Sequence, residues 1–211
     1  MELVSNQSAD VPIEGSLIRL FDEDGTIYVV TGYFTTGAYQ FLKPAIEAFL
    51  ERKQTNELIV IVSPTVDQFA AQIGHDLRTL GEDDQVQVYK YPDGCLHAKL
   101  YLRTGSQPSA IVGSVNLTRV ALKQNVELSL QIDGTDPDDE QIARLTEWVT
   151  ALKDESEPLT RRDMFWPVMA LNSVSVWANK ARLMPRNPTA YQPMTYLILA
   201  LVGLYMFSLV W

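Results

Sequence analysis

The chain has 211 residues, of which 46% are hydrophobic and 20% charged, so it accommodates one folded domain of roughly 150 residues and an appendage but excludes two full-sized domains. A single cysteine, Cys95, excludes an internal disulfide, and the first thirty residues lack the pattern of a secretory signal. Residues 1–155 hold 12 Lys/Arg against 24 Asp/Glu, whereas residues 156–211 hold 5 against 2, and the acidic first part argues against an extended nucleic-acid-binding surface.

The first fifty residues predict a β-hairpin followed by a helix. Residues 16–21 and 26–31 are apolar runs around the turn Asp22-Glu23-Asp24-Gly25, which predicts two short paired strands. Residues 36–53 predict a helix, and Pro44 is interpreted as marking its true first turn. The apolar stripe of this helix comprises Phe41, Leu42, Ile46, Phe49 and Leu50.

The next hundred residues alternate strands and helices, which predicts an α/β fold with a mixed β-sheet flanked by helices. The predicted elements are a strand over 57–63, a helix over 65–80, strands over 85–90, 97–103, 110–113 and 125–132, and a helix over 138–153. The continuous apolar run 57–63 is typical of a strand buried on both faces. The alternating residues Val126, Leu128, Leu130 and Ile132 are expected on one side of their strand.

The end of the chain predicts a membrane anchor. Residues 194–211 contain no charge, and a helix of eighteen residues spans about 27 Å, close to the roughly 30 Å hydrocarbon core of a bilayer. Lys180, Arg182 and Arg186 precede it, which predicts a cytoplasmic catalytic domain. We therefore divide the chain into a domain over 1–155, a linker over 156–193 with a possible interfacial helix at 164–178, and a transmembrane helix over 194–211. A buried or dimerising C-terminal helix is the alternative.

Polar residues that suit phosphoryl transfer interrupt the later strands. His97 and Lys99 lie two apart, so on a strand they share a face while Ala98 and Leu100 pack behind them. An imidazole nucleophile beside a fixed cation suits attack on a phosphoryl group, because the cation holds the anion that repels nucleophiles.

A second polar cluster follows. Gly113 is expected to allow a sharp turn at a strand end, and Ser114 and Asn116 to donate to a phosphate oxygen. Glu127 is expected to accept from a histidine ring nitrogen and so fix its tautomer. These roles require no metal ion or other cofactor, and the sequence has no His and carboxylate cluster at ligand spacing.

Together, His97-x-Lys99, the segment Gly113-Ser-x-Asn-Leu-Thr118 and Asn125-x-Glu127 resemble the phospholipase D superfamily over roughly residues 15–155, including the strand end at residues 31–35. The resemblance implies catalytic roles for His97, Lys99, Asn116 and Glu127, and substrate binding by Gly113, Ser114 and Thr118. Where the superfamily often has an aspartate, this chain has Thr104, a departure shared with a branch that resembles metal-independent restriction-type endonucleases.

In that superfamily two such motifs face each other, one histidine forming a phosphohistidine and the other protonating the leaving oxygen. This chain has one motif, because its other histidine, His75, lies in a surface-helix context without the lysine. The resemblance therefore implies a homodimer that brings His97 from both protomers to one site. We expect a metal-independent nuclease acting on DNA. The alternatives are a phospholipid hydrolase or phosphatidyltransferase at the membrane, and an inactive dimerisation module.

Further residues have two interpretations each. Arg103, Arg119 and Lys123 are candidates for phosphate contacts near the site, although exposed basic residues are more often only solvated. Tyr33 and Phe34 are expected either to line a substrate groove or to pack in the core. Core packing is the favoured interpretation.

Overall fold

The computed structural model describes residues 1–6, 12–63, 71–81, 84–92, 96–134 and 139–160. The predicted interfacial helix at 164–178 and transmembrane helix at 194–211 lie outside these residues, as does Cys95. Among the described helices, none combines the length and apolar character needed to cross a membrane.

Eight strands form one mixed sheet in the described part of the chain, in the order β1-β7-β6-β5-β2-β3-β4-β8. Strands β2, β3 and β4 are parallel to one another, and every other neighbouring pair is antiparallel. The mixed sheet predicted from the sequence is thus confirmed. The strands are β1 (Glu2–Ser5), β2 (Thr26–Thr31), β3 (Glu57–Val62), β4 (Val86–Lys90), β5 (Leu100–Thr104), β6 (Ser109–Gly113), β7 (Leu128–Asp133) and β8 (Glu157–Pro158).

Helices pack on both faces of the sheet. Four of them, α1 to α4, contribute buried residues to a core cluster that includes Val60, Tyr101 and Ile111. The fifth, α5, contributes to a second cluster on the opposite face, which includes Ile61 and Leu102. The helices are α1 (Ile13–Arg19), α2 (Thr36–Arg52), α3 (Ala71–Leu77), α4 (Arg119–Lys123) and α5 (Glu140–Glu155).

The predicted N-terminal hairpin is wrong, although its second strand exists as β2. Helix α1 occupies most of the residues assigned to the first strand, because Ile13, Leu17 and Phe21 are spaced four apart and all enter the core. The predicted strand began at residue 16 and so left out Ile13, the first residue of this helical spacing. Gly25 still makes a turn, with φ of +148°, and a side chain there would collide with the Thr104 carbonyl oxygen.

Helix α2 agrees with its prediction, and its apolar stripe packs in the core. The interpretation of Pro44 as the first turn is wrong, since the helix begins eight residues earlier at Thr36. Pro44 lies on the exposed side of the helix, where the lost backbone donor faces solvent. Helix α5 also matches, and Asp139 caps it by accepting from the backbone N–H groups of Gln141 at 3.0 Å and Ile142 at 3.3 Å.

The strand predicted to begin at His97 begins at Leu100. The alternation of faces nevertheless continues backwards from the strand, because Leu96, Ala98 and Leu100 all pack with the α5 cluster, whereas Tyr101 belongs to the other. The remaining strand predictions agree within three residues at each end. For the helix predicted over 65–80, the structure describes α3, and residues 65–70 lie outside the described part.

Candidate active site

The site predicted from the sequence lies at one end of four central strands. Strand β2 ends there at Thr31 and its antiparallel neighbour β5 begins there at Leu100. Strand β6 ends there at Gly113 and β7 begins there at Leu128. Four segments that are up to 95 residues apart in sequence therefore meet at one end of these strands. They are the segments around residues 32–35, 96–99, 114–118 and 124–127.

His97 and Lys99 occupy the segment that leads into β5. His97 is exposed, whereas Lys99 is only 6% exposed. The Lys99 ammonium donates to the His97 backbone carbonyl at 2.5 Å, and the Lys99 carbonyl accepts from the Gly113 N–H at 3.4 Å. A buried lysine beside an exposed histidine places a positive charge near an imidazole that solvent can reach, an arrangement that suits nucleophilic attack on an anion.

Gly32 lets the end of β2 approach the His97 segment. A Cβ at this position would lie 2.6 Å from the Leu96 carbonyl oxygen and 3.7 Å from Oδ1 of Asn116. The Leu96 carbonyl therefore excludes a side chain at position 32, whereas the distance to Asn116 is an ordinary van der Waals contact.

Asn116 is held by Thr31, a fully buried residue at the end of β2. The Thr31 hydroxyl lies 3.0 Å from the Tyr33 carbonyl oxygen and 3.3 Å from the terminal amide of Asn116. Because a hydroxyl carries one hydrogen, Thr31 shares a single donor between the Tyr33 carbonyl oxygen and Oδ1 of Asn116. The Tyr101 hydroxyl supports the same loop by donating to the Val115 carbonyl at 2.7 Å. Burial, the largest influence, raises the pKa of Tyr101.

Ser114 and Glu127 form a hydrogen-bonded pair. The Ser114 hydroxyl donates to Oε2 of Glu127 and accepts from the backbone N–H of Leu128 at 3.1 Å. The other carboxylate oxygen of Glu127 accepts from the Asn125 side chain at 3.1 Å. The hydroxyl hydrogen predicted to reach a phosphate oxygen is thus directed at Glu127. The predicted bond from a histidine ring to Glu127 stays a prediction, since a carboxylate has lone pairs for more than two donors.

Asn6, which the sequence did not suggest, fixes the backbone around Glu127. Its side-chain oxygen accepts from the Glu127 N–H at 3.1 Å. Its amide nitrogen donates to the carbonyls of Ala121, at 3.0 Å, and Asn125. The residue directly follows β1, so the pairing of β1 with β7 brings it to the site. No local signal around residue 6 could have revealed a partner more than 100 residues away.

Gly113 and Thr118 have structural roles at the positions the sequence assigned to substrate. Gly113 is paired within the sheet rather than at a sharp turn, and a Cβ there would lie 2.5 Å from the Leu128 carbonyl oxygen, so close approach of β7 requires the glycine. The Thr118 hydroxyl caps α4 by accepting from the Ala121 N–H at 3.0 Å. Their contribution to substrate binding stays a prediction.

Two of the three basic candidates, Arg103 and Lys123, make contacts within the chain. The Arg103 guanidinium is buried and donates to the carbonyls of Arg19, Leu20 and Gln107 at 2.7–3.0 Å, and burial lowers its pKa. Lys123 forms an ion pair with Glu14 at 2.9 Å. The interpretation of Arg103 as a phosphate contact is therefore wrong, whereas for Lys123 and for Arg119, which are both exposed on α4, it stays a prediction.

Phe34 and His75 lie where the favoured interpretations placed them, whereas Tyr33 does not. Phe34 is buried and bridges to Leu117, while Tyr33 is 39% exposed and does not pack in the core. His75 is exposed on α3. Thr104, at the superfamily's aspartate position, lies at the far end of β5 and donates to the Thr26 carbonyl at 3.3 Å. In the part of the chain that the structure describes, no three His, Cys, Asp or Glu residues gather as metal ligands.

The fold and the site place the chain among α/β proteins whose polar site is built from loops at one end of a mixed sheet. The family described as cardiolipin synthase, PLD-like domain, matches residues 17–152, well over half of the chain. The protein therefore belongs to the phospholipase D-like superfamily, and the resemblance seen in the sequence is confirmed. No curated protein matches the sequence.

Solved structures with the same fold include NucT, Nuc and a phosphatidylserine synthase. NucT from Helicobacter pylori is 16% identical with a TM-score of 0.54, over 68% of this chain and 89% of that one. Nuc from Salmonella typhimurium, a phospholipase D family member, is 14% identical with a TM-score of 0.57, over 75% and 96%. Phosphatidylserine synthase from Haemophilus influenzae is 14% identical with a TM-score of 0.62, over 86% of this chain but 45% of that one. At these identities the likeness extends to the fold alone.

Proposed function

We propose that the protein is a metal-independent phosphodiesterase that cleaves DNA through a phosphohistidine on His97. The observation that carries the proposal is the exposed His97 two residues from the buried Lys99, whose ammonium bonds to the His97 backbone carbonyl, at the same sheet end as Asn116 and the Ser114–Glu127 pair. In the first step His97 attacks phosphorus, the phosphorus–oxygen bond to the leaving group breaks, and a second histidine protonates the departing oxygen. In the second step the second histidine, now neutral, takes a proton from water, the water oxygen attacks phosphorus, and the phosphorus–nitrogen bond breaks to regenerate His97 and release the phosphate product.

The proposal includes a homodimer, because the two-step mechanism uses two histidines and the chain has one His-x-Lys motif. A two-fold axis close to the site would supply His97 from the partner as the acid. Lys99 from each protomer would then hold the non-bridging phosphate oxygens.

DNA is preferred over lipid for two reasons. Thr104 replaces the aspartate that the superfamily often has, as in the branch resembling restriction-type endonucleases. Arg119 is exposed on α4, the helix that begins directly after the Gly-Ser-x-Asn segment, and is available for a backbone phosphate. An acidic protein with few exposed cations near its site is expected to bind DNA weakly, and with a shallow salt dependence because few phosphate contacts release few counterions.

The test uses the full chain in a mild detergent with labelled single- and double-stranded DNA in EDTA. Cleavage is expected from the wild type and from His75→Ala, which removes the other, exposed histidine, and is expected to be abolished in His97→Ala. Acid-labile, base-stable label from substrate on His97 would identify the intermediate. Cleavage that persists in His97→Ala contradicts the proposal.

A phospholipid substrate is the second candidate, because residues 194–211 are apolar enough to hold the domain at a bilayer. This candidate and the membrane location share one assay, in which the full chain is reconstituted in vesicles of anionic and zwitterionic phospholipid. Headgroup release that requires His97, with DNA left intact, supports the lipid enzyme. Resistance of the protein to alkaline carbonate extraction supports the anchor. An inactive dimerisation module would show neither activity.

A further inference from the structure

Tyr33 is an exposed aromatic residue at the end of the sheet that carries the candidate site. Its side chain is 39% exposed and belongs to neither of the two core clusters. The residues on both sides of it, Gly32 and Phe34, are buried. The phosphoryl-transfer steps described above give this ring no role, so its exposure beside the site needs another explanation.

The backbone of Tyr33 lies close to that of His97. Continued three steps beyond the last β2–β5 pair, the antiparallel register brings Tyr33 opposite His97. The two segments stay in contact there, since a Cβ on Gly32 would lie 2.6 Å from the Leu96 carbonyl oxygen. Standard bond lengths then limit the distance between the Cα atoms of Tyr33 and His97 to at most about 12 Å. The ring is therefore within reach of a nucleotide beside a phosphate bound at His97.

The segment that carries Tyr33 is held on both sides. The Tyr33 carbonyl accepts from the Thr31 hydroxyl at 3.0 Å. Phe34 forms a β-bridge with Leu117, and the Thr35 N–H donates to the Leu117 carbonyl at 2.8 Å. A tyrosine on such a fixed backbone has only two side-chain torsions to order, so it loses little conformational entropy when it binds a ligand.

An exposed cation borders the same segment. Arg119 follows two residues after Leu117 and is exposed. A Cβ on Gly37, at the start of α2, would lie 3.5 Å from Cβ of Arg119. An aromatic ring and a guanidinium thus lie on neighbouring segments at one end of the sheet. Proteins that bind single-stranded nucleic acid combine these two groups, because bases stack on the ring while cations contact the backbone.

We propose that Tyr33 stacks on a base of single-stranded DNA next to the scissile phosphate, with Arg119 contacting the adjoining backbone. The inference rests on the proposed function and adds a preference for single strands over duplex. In a duplex the bases already stack on one another, so the ring would have to displace a neighbouring base. Stacking releases no counterions, which suits a chain whose residues 1–155 hold 12 Lys/Arg against 24 Asp/Glu.

The test measures binding of labelled oligonucleotides by fluorescence anisotropy, with the full chain in a mild detergent and EDTA. All proteins carry His97→Ala, which leaves the DNA uncut. Tyr33→Ala is expected to raise the Kd for single strands about tenfold or more, and the Kd for duplex by less than about threefold. Tyr33→Phe keeps the ring and should stay within about threefold of the parent. The matched control is Trp148→Ala, which removes another exposed ring, on α5, and should change neither Kd.

A second ligand tests stacking directly. An abasic sugar-phosphate strand of the same length has the phosphates but no bases, so Tyr33→Ala should not weaken its binding further. Arg119→Ala should weaken binding of the normal and the abasic strand alike, and its effect should shrink as salt is raised. The effect of Tyr33→Ala on the normal strand should persist at high salt. Circular dichroism checks that all variants fold.

Cleavage by the same variants with His97 restored separates the two proposals. Cleavage that requires His97 and is impaired by Tyr33→Ala on single strands supports both. Binding that depends on the Tyr33 ring, without cleavage by the wild type, supports the stacking residue and contradicts the nuclease. Equal Kd values for the parent and Tyr33→Ala overturn the stacking residue whatever the cleavage. So does duplex bound as tightly as single strands, or a failure to bind DNA, as expected of a lipid enzyme.

Discussion

Ser114 and Glu127, thirteen residues apart on different segments, share one hydrogen, with the serine hydroxyl donating to Oε2 of the glutamate while it accepts from the N–H of Leu128 at 3.1 Å. The pair joins the end of β6 to the start of β7. Because Glu127 is buried, its carboxylate depends on such donors for solvation. Ser114 is therefore expected to stabilise the protein as well as the site.

Ser114→Ala is expected to lower the free energy of unfolding by about 1–2 kcal/mol, since it leaves a buried carboxylate oxygen and the Leu128 N–H each without a partner. Urea unfolding followed by circular dichroism measures this. Ser63→Ala is the matched control, because the Ser63 hydroxyl is buried without a partner among the described residues, and its removal should change stability by less than about 0.5 kcal/mol. Equal effects of the two substitutions would contradict the assigned role of Ser114.

Thr31→Val is expected to lower kcat for DNA cleavage about tenfold with a smaller change in KM. The substitution keeps the shape of the side chain but removes the hydroxyl that joins Asn116 to the Tyr33 carbonyl. Thr31→Ser retains the hydroxyl and should stay within about threefold of the wild type. Steady-state kinetics give kcat and KM for both variants. Full kcat in Thr31→Val would show that Asn116 is positioned without the Thr31 hydroxyl.

Gly32→Ala is expected to destabilise the protein by about 1–3 kcal/mol and to abolish most activity, because the new methyl group lies 2.6 Å from the Leu96 carbonyl oxygen and displaces the segment that carries His97. Gly15→Ala provides the comparison. It lies within α1 with no atom inside 4 Å of the new methyl group and should be neutral or stabilising by up to about 1 kcal/mol. Thermal unfolding of both variants tests the expectation, which fails if Gly32→Ala is the more stable of the two.

Tyr39 is expected to make the protein sensitive to alkali. Burial, with smaller contributions from Asp76 and Glu47, raises the pKa of Tyr39 from 10.0 to about 12. A folded-state pKa above the unfolded one contributes stability that is present below pH 10 and is lost as the pH rises towards 12. Tyr39→Phe should therefore lose less stability than the wild type between pH 10 and pH 12 in urea unfolding. Parallel pH profiles of the two proteins would contradict this.

The sequence was sufficient for the parts of the fold that depend on local periodicity. The buried run of β3, the stripe of α2 and the acidic start of α5 each have a short-range signal that the structure confirms. Helix α1 was missed because residues 16–21 fit both a short apolar strand and the four-residue spacing of a helix. Ile13 is the core residue that distinguishes the two, and it lies outside the residues assigned to the strand.

The candidate site was predictable where the residues that carry its chemistry are close together in sequence, as His97 and Lys99 are. It was not predictable where a role depends on distant contacts. Arg103 has the charge of a phosphate ligand, but its donors are taken by carbonyls up to 84 residues away. Asn6 has no distinguishing neighbours, yet it accepts from Glu127 across 121 residues. Such roles follow from sheet order, which local pattern does not determine.

The pairing of β1 with β7 also sets an order of events during synthesis. Glu2–Ser5 are made long before Leu128–Asp133, the strand with which they pair. At roughly 5–20 residues per second, a ribosome needs about 6–25 s for the intervening chain. Throughout that interval β1 has no partner strand, so Asn6 cannot yet reach Glu127 and the site is completed only late in translation.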